Sequence, residues 1–176
     1  MAELVVNSRI KYYREYVQHK TLTSHQRLVM KKDGNVLDIS TASVKSSVSP
    51  IEGSVSSILT PTNPYASRVR YSEGQVVQID VKLPALIEVG SIVVTHNSNE
   101  SLEFSTVVIQ VSDDGARWYT LYDSAWEGTY VETSAGKEIT TSYVAQAHEG
   151  SGAIKDTPSS AFFDPKIMIW DNDEKV

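Results

Sequence analysis

The chain has no cysteine, which excludes disulfides, thiol catalysis, Cys-ligated zinc and iron–sulfur clusters. No apolar run approaches the ~20 residues that a membrane-spanning helix needs. Basic residues are in deficit, 16 against 22 acidic ones for a net charge of −6, which argues against general nucleic-acid binding. The start, Met1-Ala2-Glu3-Leu4, has no basic segment followed by a long apolar one, so no secretion signal peptide is read there. Asn99-Glu100-Ser101 fits the glycosylation pattern but carries no weight without such a signal. Proline and glycine are sparse, six and nine of 176 residues, whereas Val, Ser and Thr together supply 57. β-branched and small polar residues suit pleated, half-buried surfaces, and 40% hydrophobic content is enough for a buried core. An all-β domain is expected.

Charge divides the chain unevenly. Residues 1–45 carry a balance of +4 and the remainder −10, a pattern that suits a basic arm packing on an acidic body. No 20–50-residue repeat is present, which argues against solenoids and propellers. Ile10, Tyr13 and Val17 share a face at helical spacing, yet Tyr12, Tyr13, Tyr16 and Val17 also suit a strand, and the aromatic content favours the strand. Asp33-Gly34 between Arg27–Lys32 and Asn35–Ile39 is a hairpin signal, because Gly accepts the positive φ of the turn. From Ser40 to Arg70 the Ser/Thr-rich chain is punctuated by Pro50, Pro61 and Pro64 and reads as loops with short extended pieces.

Further on, Val77, Ile79 and Val81 alternate with Gln78 and Asp80, and Pro84 is expected to stop that strand. Ile87–Thr95 is expected as the next strand with a bend or bulge at Gly90. Phe104–Ser112 follows, apolar enough for burial on both faces. Asp113-Asp114-Gly115 then turns the chain into Trp118–Tyr122. Gly128–Thr133, Glu138–Ala147 and Lys166–Trp170 are further extended candidates. The spacing indicates an antiparallel β-sandwich or barrel, divided into an N-terminal arm or β-hairpin extension over residues 1–40 and a sandwich over 41–176.

Three segments, in order, carry a resemblance: Val76–Val81, Ile87–Val94, and Val107-Val108-Ile109-Gln110-Val111-Ser112-Asp113-Asp114-Gly115-Ala116-Arg117-Trp118. Together with Thr41–Pro50 they make the region of about residues 40–123 similar to the discoidin and coagulation-factor C-domain family, the last segment resembling its Ser-x-Asp-Gly-x-x-Trp hairpin. The resemblance implies a galactose-binding-like jelly roll with ligand contacts in loops at one end. The sequence departs from the family where Gln75-Val76 replaces a Trp, where Val81-Lys82 replaces Leu-Gly, and in lacking the terminal cysteines and the closing Arg-Tyr-Ile-Arg strand. Lys166–Trp170 can stand in that strand's place. Fold transfers on such a likeness more safely than ligand specificity.

No phosphate-cradling glycine loop and no Gly-x-Ser-x-Gly elbow is present. His19, His25, His96 and His148 are scattered, without metal-ligand spacing. Asp171-Asn172-Asp173-Glu174 lacks the glycine and downstream Glu of a calcium loop and reads as a solvated acidic tail. No catalytic residue, metal or cofactor is expected. The loops that the resemblance brings forward offer Asn63, Tyr65, Arg68 and Arg70, then His96, Asn97 and Asn99, residue types that bond sugar hydroxyls and face sugar rings. Tyr12, Tyr13, Tyr16 and Leu28 are candidates for burial against a neighbouring subunit, since tyrosine is favoured at interfaces, with burial in a small N-terminal sheet as the alternative. The expectation is a non-enzymatic structural or adhesion protein of a large assembly. Its concrete form is a bacteriophage virion protein of the tail, baseplate or capsid surface, made in the host cytoplasm and partnered by other subunits including itself. A surface glycan is the expected ligand, with neither nucleic acid nor membrane insertion involved. The alternatives are a carbohydrate-binding module and an intracellular scaffold subunit of a eukaryotic complex.

Overall fold

The computed structural model describes residues 9–18, 25–59, 69–97, 106–124 and 137–140. Nine strands account for most of them: β1 (Arg9–Gln18), β2 (His25–Lys32), β3 (Asn35–Val36), β4 (Ser43–Ser46), β5 (Val76–Glu88), β6 (Ser91–Asn97), β7 (Thr106–Ser112), β8 (Tyr119–Asp123) and β9 (Lys137–Thr140), with one 3-10 turn at Val55–Leu59. They form two antiparallel sheets, one ordered β4-β5-β1-β7-β8 and the other β3-β2-β6-β9. The core lies between the sheets. Tyr13 and Val17 of β1, Val77, Ile79 and Val81 of β5, and Val107, Ile109 and Val111 of β7 meet Leu28, Met30, Ile92, Val94 and Ile139 of the second sheet in one continuous cluster. The fold is an all-β sandwich.

The N-terminal segment is built into both layers. β1 lies in the middle of the five-stranded sheet, bonded to β5 on one side and β7 on the other. β2 pairs with β6 along its length and with β3 through the Asp33-Gly34 turn, whose φ values of 50° and 78° match the turn that the pair signals. The expected division at residue 40 therefore separates strands that share the same sheets. Tyr12, Tyr13, Tyr16 and Leu28, expected to bury against a neighbour, are instead buried by their own chain, each at 2% exposure or less. Tyr13 of β1 and Leu28 of β2 face the inter-sheet core, whereas Tyr12 and Tyr16 are buried on the other face of β1, a central strand covered on both faces.

Two punctuation residues behave differently from expectation. Pro84 does not end β5. Ile10 pairs with Ile87 and Tyr12 with Lys82, so Leu83–Leu86 bulge out of the ladder, where a missing N–H costs nothing. Gly90 marks neither bulge nor bend within a strand: Val89-Gly90 carries the chain from β5 in one sheet to β6 in the other. Its N–H donates to the Lys31 carbonyl at 2.8 Å, and a Cβ there would sit 3.5 Å from that same oxygen. β7 is buried on both faces, as its apolar run implies. The extended segment expected at Glu138–Ala147 is described as β9 only through Thr140. The candidates Gly128–Thr133 and Lys166–Trp170, and the acidic tail Asp171–Glu174, lie outside the described residues.

Candidate functional site

The five-stranded sheet turns a second face away from the inter-sheet core, and this face concentrates the polar side chains. Along the register, Lys45 of β4 is opposite Asp80 of β5, Asp80 opposite Arg14 of β1, Arg14 opposite Gln110 of β7, and Gln110 opposite Thr120 of β8. One polar residue from every strand thus forms a row across the whole sheet. Arg14 is 1% exposed and Asp80 fully buried. The Arg14 Nε donates to Asp80 Oδ1 at 2.7 Å and its Nη2 to Oδ2 at 3.0 Å, the two-pronged geometry that makes guanidinium–carboxylate pairs strong. Gln78 Nε2 adds a longer donation to Asp80 at 3.2 Å, and Gln110 Nε2 donates to Thr120 Oγ1 at 3.1 Å. The guanidinium also lies over the Trp118 ring, 3.8 Å from its centroid, a cation–π arrangement worth more when desolvated. Tyr12 meets Trp118 edge-on at 6.3 Å.

The hairpin loop between β7 and β8 builds this stack. Ser112 Oγ accepts from the Gly115 N–H at 2.8 Å, and Asp114 Oδ1 accepts from the N–H groups of Ala116 and Arg117, both at 2.8 Å. Burial by itself would raise the Asp114 pKa, but these backbone donors and the Ser112 hydroxyl bring it below the usual carboxylate value. Gly115 takes a φ of 75°, and a Cβ on it would come within 3.1 Å of the Tyr12 ring. The Ser-x-Asp-Gly-x-x-Trp pattern thus acts as a loop that lays Trp118 on Arg14. Trp118 belongs to the outward face of the sheet and not to the inter-sheet core.

Inside the sandwich the polar content is smaller. Tyr13 donates to Glu15 Oε2 at 2.7 Å, and Tyr71 donates to Ser46 Oγ at 3.1 Å. Burial pushes the Tyr71 phenol up to about 12; the Ser46 hydrogen bond works against that and the Glu15 charge adds to it. Near β2, a small, mostly apolar recess of about 20 Å³ is lined by Leu28, Val36, Leu37, Ile39 and Leu59, among others.

Of the loop residues singled out from the sequence, the described ones are Arg70, His96 and Asn97, and they fall at one end of the sandwich. Because only Val89-Gly90 join β5 to β6 across the two sheets, the end of β5 and the start of β6 mark one end of the sandwich. The start of β5 and the end of β6 mark the other. Arg70, just ahead of β5, and His96-Asn97, which close β6, share that second end. Arg70 is bridged to Glu52 through the backbone and through an Nη1–Oε2 contact of 2.9 Å, both side chains being partly exposed. His96 lies opposite Gln26 and Asn97 opposite His25. Asn63, Tyr65, Arg68 and Asn99 lie outside the described residues. Among the described residues no group of three or more His, Cys, Asp or Glu gathers as a metal site.

Comparison with known families, with curated proteins and with solved structures finds no match to this chain. The sequence did not single out Arg14, Gln110, Thr120 or the Arg14–Trp118 stack as a unit. The available signal was parity: Arg14, Asp80 and Gln110 all occupy the face opposite their strands' core positions, Asp80 and Gln110 between aliphatic neighbours and Arg14 between Tyr13 and Glu15.

Proposed function

We propose that the chain is a non-enzymatic structural and attachment component of a larger assembly, a β-sandwich scaffold that displays the loops at its Arg70 and His96-Asn97 end. The observation that supports this reading is the use to which the buried charged groups are put. The Arg14–Asp80 pair ties β1 to β5 under a stacked indole, so the strongest polar chemistry on the sheet serves rigidity. A galactose-binding-like jelly roll is the finer fold reading, resting on the three-segment resemblance, and a bacteriophage tail, baseplate or capsid-surface protein is its concrete setting. Other subunits, including further copies of this chain, are the proposed partners.

A carbohydrate-binding module is the second reading. It is favoured by the placement of Arg70 and His96-Asn97 at the same end, where loops can converge on one ligand. The test is a glycan-array assay on the multimerised full-length chain, since multivalency reveals weak sites, together with sedimentation analysis of the unmodified chain. Competable glycan binding lost in Arg70→Ala or His96→Ala promotes the second reading. Concentration-dependent self-association without glycan binding supports the first. A strictly monomeric chain that binds no glycan overturns both.

A further inference from the structure

Hydrophobic patterning chooses which face of β1 enters the core, but it leaves the register of that strand nearly open. The core-facing positions opposite it are uniformly aliphatic: Val77, Ile79 and Val81 on β5, and Val107, Ile109 and Val111 on β7. On the outward face Tyr12 and Tyr16 flank Arg14 symmetrically. A slip of two residues keeps every side chain on its proper face, because the period of a strand is two. It exchanges aliphatic for aliphatic neighbours inside and tyrosine for arginine outside.

What such a slip cannot keep is the charge match. Moved one way, Arg14 comes opposite Lys82 on β5; moved the other way, it comes opposite Gln78 and Val108. In both cases Asp80 faces a tyrosine. We propose that the Arg14–Asp80 pair is a register lock, the device that selects one alignment of β1 between β5 and β7 from several that the apolar pattern accepts. The role parallels that of a single buried polar residue fixing alignment in a coiled coil. Three structural facts favour it: both groups are buried to 1% exposure or less, the pairing is two-pronged, and both residues lie at the middle of their ladder.

The absence of native cysteine makes a clean test available in the full-length chain. Gln18 pairs with Val76 in the observed register, so Gln18→Cys with Val76→Cys reports the native alignment. Gln18→Cys with Gln78→Cys reports a slip of two. Disulfide yields are compared in the parent and in Arg14→Leu/Asp80→Leu, which removes both charges and leaves apolar bulk. The parent should cross-link almost wholly through the native pair. In the leucine variant the native-to-slipped ratio should fall at least about tenfold, as expected when a buried pair no longer penalises the wrong partner. The charge-exchanged variant Arg14→Asp/Asp80→Arg should restore it. If the leucine pair fails to fold, Asp80→Asn is read with the same cysteines and should also raise the slipped fraction. An unchanged ratio in whichever of these variants folds overturns the lock.

Discussion

Asp80→Ala and Glu52→Ala each delete a carboxylate that faces an arginine, and the structure assigns them very different costs. Asp80 and Arg14 are buried, with side chains 0% and 2% exposed, whereas Glu52 and Arg70 are 41% and 27% exposed. Removing Asp80 leaves a guanidinium in the sheet without its counter-charge, a loss of about 3–5 kcal/mol. Removing Glu52 leaves Arg70 within reach of water and costs below about 1 kcal/mol. Against a total stability of about 5–15 kcal/mol for an ordinary domain, the first change removes a large share and the second is barely measurable. Urea unfolding of each full-length variant, followed by tryptophan fluorescence and far-UV circular dichroism, gives both midpoint and slope. Equal losses for the two variants at an unchanged slope would refute the reasoning, because burial would then have no bearing on the energetics of these pairs.

Gly115→Ala should destabilise by about 2 kcal/mol in the same assay, since it places a β-carbon in the left-handed region and drives it against the Tyr12 ring. Tyr71, raised to about 12 from an ordinary 10.0, keeps its proton in the folded chain after the unfolded chain has lost it. The folded state therefore binds more protons between those values and stability falls as pH rises from 10 to 12. Tyr71→Phe should flatten that fall in pH-dependent unfolding. Asp114 behaves oppositely: its lowered pKa gives stability that is complete above the unfolded value and is lost as pH drops through the folded one. Asp114→Ala should accordingly narrow the difference in urea midpoint measured at about pH 5 and about pH 2.

Local chemistry made several elements readable. Asp33-Gly34 announces its turn, Val77-Ile79-Val81 announces a core face, and the double-sided burial of β7 follows from Val107–Val111. Gly90 and Pro84 were visible but ambiguous, because the same residues serve a strand bulge, a stop or a change of sheet, and the choice is made by partners elsewhere. Tyr12, Tyr13 and Tyr16 misled for a related reason. A tyrosine-rich strand looks alike at a subunit interface and at the centre of a sheet, and only the pairing of β1 with β5 and β7 distinguishes them. The polar row was hidden because each member sits in a different strand. Gln78 and Asp80 alone read as an ordinary solvent-facing edge of an alternating pattern, and nothing adjacent in sequence reveals Arg14 opposite them.

The central place of β1 also sets a clock on synthesis. This strand leaves the ribosome well before the second strand that must flank it, since β7 is complete only about 90 residues later. At translation rates of about 5–20 residues per second, β1 waits for roughly 5 to 20 s before both of its hydrogen-bonding edges can be paired, its β5 partner arriving first. During that interval three tyrosines and a row of unpaired backbone groups are open to any other nascent chain nearby. Polysomes carrying several copies of this message are therefore where strand exchange between copies has its best opportunity, and slowing translation after Gln18 should lower the yield of correctly folded protein.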